Sequence, residues 1–287
     1  MRVALSVRIA ESPGSKEQTT RTLAQLAALA AGIGYQAVCM RASQVGIQTP
    51  LQDITAARHT VQGYGLTVSM VTGDVAIPLN NDRAPEALRH ITPYLDLAAL
   101  LESDLIRVGM KHDTEIVWAQ RAADEARERG IRLAHQSHTL SLFETVAGSL
   151  DVLRRINRPN FGLIYEPANL DLCGQDYGPE TITRFEPWLF NVYLQNHRKT
   201  PDGRVTLATW SQGAVSYDPI RLQDSGGLDF PMILDTLDRI GYTGYVTVHQ
   251  AFTELMEPED AARQSYDHLT RIGHVEPLKG GGQGHQA

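Results

Sequence analysis

A helix-length segment, a glycine and a short apolar run follow one another repeatedly along this chain. TRTLAQLAALAAGIGY leads to QAVCMR, LQDITAARHTVQGYG to LTVSMV, APEALRHITPYLDLAALLES to DLIRVGM, and EIVWAQRAADEARERG to IRLAHQ. ETVAGSLDVLRRIN then precedes FGLIYE, PETITRFEPWLF precedes NVYLQN, and MILDTLDRIGYTG precedes YVTVHQ; PEDAARQSYDHLTRIG closes the series. Glycine after a helix supplies the left-handed residue that turns the chain into the next strand. The runs are apolar on both faces, as in a parallel sheet covered on both sides. With VALSVRI at the start, the periodicity gives about eight strand–helix units. Strict alternation implies parallel strands joined by right-handed crossovers. Eight units in one series predict an α/β fold, a single (β/α)8 TIM barrel over residues 1–273, in keeping with the ~250 residues such a barrel needs. The competing open, doubly wound sheet would bring a glycine fingerprint after the first strand, and Arg8–Pro13 has none.

Two regions leave the rhythm. Residues 197–227 (HRKTPDGRVTLATWSQGAVSYDPIRLQDSGG) read as a long polar loop after the seventh strand, on the face where barrel active sites lie. Its Trp210 and Tyr217 point to a lid or a subunit contact, the latter in a homodimer, rather than to a tolerated surface insertion. Residues 274–287 read as a flexible Gly-rich tail. GGGQG within it is no phosphate loop, because no strand precedes it and no helix follows.

Composition narrows the partners. Lys+Arg is 26 and Asp+Glu 33, a formal charge of −7, the wrong sign for holding nucleic acid or an anionic membrane surface. Two distant cysteines, Cys39 and Cys173, exclude a disulfide scaffold or a cysteine zinc site and suit a reducing, cytoplasmic setting. No apolar run approaches the ~18 residues of a membrane span. HExxH, GxSxG, Walker A and Rossmann motifs are all missing.

Barrel chemistry comes from the C-terminal ends of the strands. Here those ends offer Arg8; Met40 and Arg41; Thr72; Met110, Lys111 and His112; Gln136 and His138; Glu166 and Asn169; Gln195 and His197; and His249. The surrounding text resembles the sugar phosphate isomerase/epimerase family, with its xylose isomerase-like barrel, over roughly residues 3–272. GGLDFPMILDTLDRIGYTGYVTVHQ carries the resemblance most strongly, with GIRLAHQSH, FGLIYEPANL, NVYLQNHR and GIGYQAVCM beside it. The resemblance implies a divalent cation held by Glu, Asp, His and Glu from the fifth to eighth strands. Those positions here carry Gln136, Glu166, Tyr193 and His249, and the aspartate's companion histidine is Asn169. The family's text survives while nearly every ligand has changed type.

One carboxylate in place of three disfavours Mg²⁺. Mn²⁺, Zn²⁺, Co²⁺ or Fe²⁺ would suit Glu166 and His249, with His197 and Gln136 completing the set and His138 as the other candidate for the third position. The competing reading is a metal-free site whose residues hydrogen-bond one another and a sugar. Gln136 has no titratable proton, so the two-glutamate epimerisation that the resemblance implies is closed to this chain. Glu166 or His249 is then a single base or acid, and Lys111 an electrophile for a carbonyl or enolate. Gln136, His138, Tyr193, Asn169, Arg41 and Gln195 are the candidate substrate-binding residues; Arg8 and Arg41 would take a carboxylate or phosphate, or simply bridge strand ends. His135 points away from Gln136, toward the helices, as a packing histidine. Cys39 is read as a buried structural thiol, and His59, His90 and His268 as surface groups. The expected function is an isomerase- or lyase-type enzyme acting on a small sugar, keto sugar or sugar acid by one-base proton transfer. The alternative is a degenerate barrel that binds a sugar-like ligand or a partner subunit without catalysis.

Overall fold

A computed structural model of the chain describes residues 1–12, 14–251 and 255–275. Eight of its eleven strands form the barrel: β1 (Arg2–Ser6), β2 (Ala37–Arg41), β3 (Thr67–Thr72), β4 (Leu105–Val108), β5 (Arg132–Gln136), β6 (Phe161–Tyr165), β7 (Leu189–Leu194) and β11 (Tyr245–Val248). Every pairing is parallel, and the ring closes where β1 pairs with both β2 and β11. The longer crossover helices are α1 (Leu23–Ile33), α2 (Leu51–Gly63), α5 (Thr92–Leu100), α6 (Ile116–Glu128), α7 (Val146–Ile156), α10 (Phe230–Arg239) and α11 (Pro258–Ile272). Shorter helices are α3 (Ala76–Leu79), α4 (Glu86–Arg89), α8 (Pro167–Leu172) and α9 (Pro179–Phe185). No described helix is long and apolar enough to cross a membrane.

Local sequence explains the joints. Thr22 and Gln25 form a capping box at the start of α1, and Gly34 beyond its end adopts φ +120°, a conformation costly for any residue with a Cβ. Thr145 and Asp229 cap α7 and α10 through their side-chain oxygens. The segment APEALRHITPYLDLAALLES, read above as one helix, is two (α4 and α5), broken at His90 and Ile91 just ahead of Thr92–Pro93.

Side chains alternate along each strand, so each strand feeds two compartments. Outward residues join the helices in the large core between barrel and helix ring. Inward ones, Cys39, Met70, Leu105, Ala134, Ile164 and Tyr193, fill the barrel's centre. Two residues further along these strands, the same inward parity delivers Arg41, Thr72, Arg107, Gln136, Glu166 and Gln195, and His249 follows Thr247 on the last strand. An apolar plug therefore carries a polar layer on top.

Residues 197–227 are not one long loop. Asn196–Lys199 (β8), Val205–Thr209 (β9) and Gly213–Ile220 (β10) form an antiparallel sheet in the order β8-β10-β9. VTLAT and GAVSYDPI are short and only half-buried, so they carry no apolar run of the kind that marks the barrel strands. Residues 276–287, most of the expected tail, lie outside the described residues.

Candidate functional site

The polar layer opens into a cavity of about 510 Å³. Its floor is made by the strand ends, through Arg41, Arg107, Gln136 and His249. Its sides come from Arg8, in the 3₁₀ turn after β1, from Lys16 and from Asn169 at the start of α8. Val205, Leu207 and Tyr217 of the antiparallel sheet roof it.

Cations dominate this space. Arg41 makes a buried two-pronged ion pair with Glu11, Nε to Oε1 at 2.6 Å and Nη2 to Oε2 at 3.0 Å. Its Nη1 lies 3.4 Å from His249 Nε2. A guanidinium only donates, so Nε2 accepts and the ring proton sits on Nδ1, which donates to Ser6 Oγ at 3.1 Å. Burial, with Arg8, Arg41 and Arg107 nearby, drives His249 well below the usual histidine range, and it stays neutral. Arg8 Nη1 donates to Gln195 Oε1 (3.2 Å) and to the His249 carbonyl (3.0 Å). Arg107 is 3% exposed and has no hydrogen bond or ion pair among the described residues. Burial lowers it to about 10, which leaves it charged at neutral pH. Lys16 donates to the Pro78 carbonyl (2.5 Å); burial and the three arginines bring its ammonium down to about 7.

Glu166 is 0% exposed and lies behind the cavity wall. Asn169 Nδ2 donates to its Oε2 at 2.8 Å, and Gln195 Nε2 donates to Oε1. Burial lifts its carboxyl to about 7, against the pull of Arg8, Arg107, the Gln195 bond and Arg41.

The sequence profile described as "Xylose isomerase-like TIM barrel" matches residues 27–272. The chain belongs to this family. No curated protein matches it by sequence. Among solved structures, a probable 3-DHS dehydratase, AsbF, from Bacillus anthracis superposes at a TM-score of 0.70, with 12% identity over 94% of this chain and 99% of that one. A xylose isomerase-like TIM barrel protein from Mycobacterium smegmatis, in complex with magnesium, gives 0.69 at 14% identity over 94% and 96%. A D-allulose 3-epimerase from Methylomonas sp., in complex with D-allulose, gives 0.66 at 16% identity over 95% and 97%. Likeness at these identities establishes the fold alone.

The four positions carried over from the family do not suit a divalent cation in this chain. Tyr193 is fully buried; its hydroxyl pairs with Cys39 Sγ at 3.3 Å and its ring stacks flat on His249 at 3.6 Å. Both oxygens of Glu166 are engaged by amides, His249 Nε2 faces Arg41, and Gln136 is uncharged. Three guanidinium groups converge on the same space. Among the described residues no group of three His, Cys, Asp or Glu side chains is gathered to hold a metal. His197, expected as a ligand, is turned to Asp171, with Nε2 to Oδ2 at 2.9 Å.

The other expectations divide. Gln136, His138, Asn169, Gln195 and Arg41, the candidate substrate-binding residues, line the cavity. Tyr193 does not line it: its ring is fully buried and stacked against His249. Lys111 is withdrawn as a catalytic group. β4 ends at Val108, and Lys111 does not line the cavity: its Nζ is held by the carbonyl of the cavity-lining Asn80 (3.0 Å) and by Asp82 (3.3 Å). His135 packs on Phe143 at 4.2 Å, as expected of a histidine facing the helices. Arg107 was missed because only strand ends were read. A charged residue inside the apolar run DLIRVGM, at the parity of Leu105, was the available signal. Glu11 and Lys16, on an irregular segment, carried no such signal.

Proposed function

We propose that this chain is an enzyme that moves a proton on a small sugar, keto sugar or sugar acid, in an isomerase- or lyase-type reaction, with Glu166 as its single base. The observation that supports this reading is a carboxyl at the end of β6, lifted to about 7 by burial, behind two cavity-lining amides. A group with that pKa takes and returns a proton readily near neutral pH. His249 does not compete for the role: its Nε2 is directed at a cation, and its neutral form persists far below neutrality. The Gln195 amide, held between Arg8 and Glu166, is the piece that must move for Glu166 Oε1 to face a substrate. Because the base works ionised, turnover should rise with pH through about 7.

Solvent deuterium incorporation into candidate keto sugars and sugar acids, followed by NMR, tests the reading. Exchange that disappears in Glu166→Gln supports it; exchange that survives the substitution overturns it. The shielding of Glu166 from the cavity favours a second reading, a barrel that binds a sugar-like ligand without catalysis. Ligand binding without any exchange is its expected result.

A further inference from the structure

We propose that the cavity recognises a polyhydroxylated ligand through an oxyanion seated on Arg107. The proposal deepens the reading above and rests on its premise that the cavity takes a small sugar-type molecule.

A guanidinium is very costly to bury without a counter-charge, and such groups in folded proteins are nearly always paired. Arg41 obeys the rule through Glu11. Arg107 does not: it is as deeply buried, lines the cavity, and its Nε is without a hydrogen-bond partner. Arg8, across the same cavity, commits only Nη1 within the described residues, which leaves the rest of its fork to share an oxyanion. The second requirement on the ligand comes from Gln136. Its Oε1 is buried and unpartnered and can only accept, so it calls for a hydroxyl or amine proton on the ligand. An oxyanion for Arg107 beside a hydroxyl for Gln136 describes a sugar acid or a sugar phosphate. A cavity of about 510 Å³ lies within the range of ~300–1,000 Å³ usual for small-molecule sites.

The test uses the full chain in EDTA, with glycerate, glycerol 3-phosphate and glycerol as minimal probes at matched ionic strength. Titration calorimetry should show binding of at least one anion and none of glycerol; the better anion tells carboxylate from phosphate. Arg107→Met should weaken the anion by roughly 10- to 100-fold, the scale of hydrogen bonds to a charged group. The same variant should raise the melting temperature of the ligand-free protein below about pH 7, where Glu166 is protonated, because it removes a buried charge that makes no ion pair or hydrogen bond among the described residues. Arg107→Lys keeps charge without the planar fork, and should fall between the two and melt like the parent. Glycerol binding as well as the anions, no anion binding at all, or anion binding unchanged in Arg107→Met would each overturn the proposal. Anion binding without deuterium exchange on any candidate sinks the proton-transfer reading alone. Exchange on neutral sugars with no preference for anions sinks the anchor alone.

Discussion

A buried carboxyl and a buried guanidinium answer desolvation differently. Glu166 escapes its penalty by holding a proton up to about 7, whereas Arg107, lowered only to about 10, stays charged and needs a partner. The Glu166 shift has a measurable cost. Its native carboxyl stays protonated while the unfolded one ionises from about 4.5, so its contribution to stability is complete below pH 4.5 and is lost as pH rises through about 7. The shift corresponds to about 3 kcal/mol. Neutral His135, His138 and His249 act in the opposite sense, losing stability as pH falls below the unfolded value of 6.5. Comparing the parent with Glu166→Gln cancels the histidines. Urea unfolding should show the variant gaining about 3 kcal/mol on the parent between pH 4.5 and about pH 8. A pH-independent difference would mean that Glu166 titrates as an ordinary carboxyl. At this scale the sequence showed which residue types had changed at the family's ligand positions. It could not show that arginines from the turn after β1, from β2 and from β4 would occupy the same space.

Among the elements, the β8-β10-β9 sheet decides how open the cavity is. Glu144, almost fully buried, pins its far turn by accepting from the Trp210 (3.0 Å), Ser211 (2.7 Å) and Leu140 (2.6 Å) backbone N–H groups. Asn196 and Gln250 pin its base: Gln250 Nε2 donates to the Ile220 carbonyl at 2.7 Å, and Asn196 Oδ1 accepts from the Leu228 N–H at 2.9 Å. Glu144→Gln removes the charge from three short bonds and should cost about 2 kcal/mol. Hydrogen exchange at Trp210 and Ser211 should quicken while the barrel strands keep their protection, and Trp210, 55% exposed, offers a fluorescence reading of the same motion. Uniform loss of protection would show that the sheet and barrel unfold as one. At the other end, a Cβ on Gly227 would come within 2.0 Å of Asn196 Oδ1. Gly227→Ala should therefore speed exchange at Leu228 and at the β8 amides, leaving the Glu144 turn unchanged. The eight barrel strands were legible because burial on both faces makes them continuous apolar runs. The sheet was not, because its strands meet solvent on one side and a polar cavity on the other. The same limit explains Lys111: apolar continuity carries the fourth strand on to Met110, while the structure ends β4 at Val108 and ties the lysine to the Asn80 carbonyl.

Over the whole molecule, charge is sorted between mouth and shell. The cavity is lined by Arg8, Lys16, Arg41, Arg107 and Arg204 against Glu11, with Glu166 behind its wall. Removing these five cations and two acids from the 26 Lys+Arg and 33 Asp+Glu leaves the rest of the protein at −10. The net charge of −7 thus hides a cationic cavity inside an anionic shell, and the sign that speaks against nucleic acid is compatible with a small anionic ligand. The two fields differ in reach. Repulsion from the shell acts over a Debye length, about 20 Å near 20 mM salt and about 7 Å near 200 mM, whereas contacts to buried guanidinium groups are screened far less. Association of an anion that seats on Arg107 should therefore speed up, not slow down, as sodium chloride rises from about 20 to about 200 mM, with little change in dissociation. Stopped-flow mixing with the better anion of the glycerate and glycerol 3-phosphate pair reads both rates. An association rate that falls steeply with salt would place the anion on an exposed basic surface, because only attraction at long range is weakened by screening. A rise with salt would place it past the acidic shell, among groups that solvent ions reach poorly.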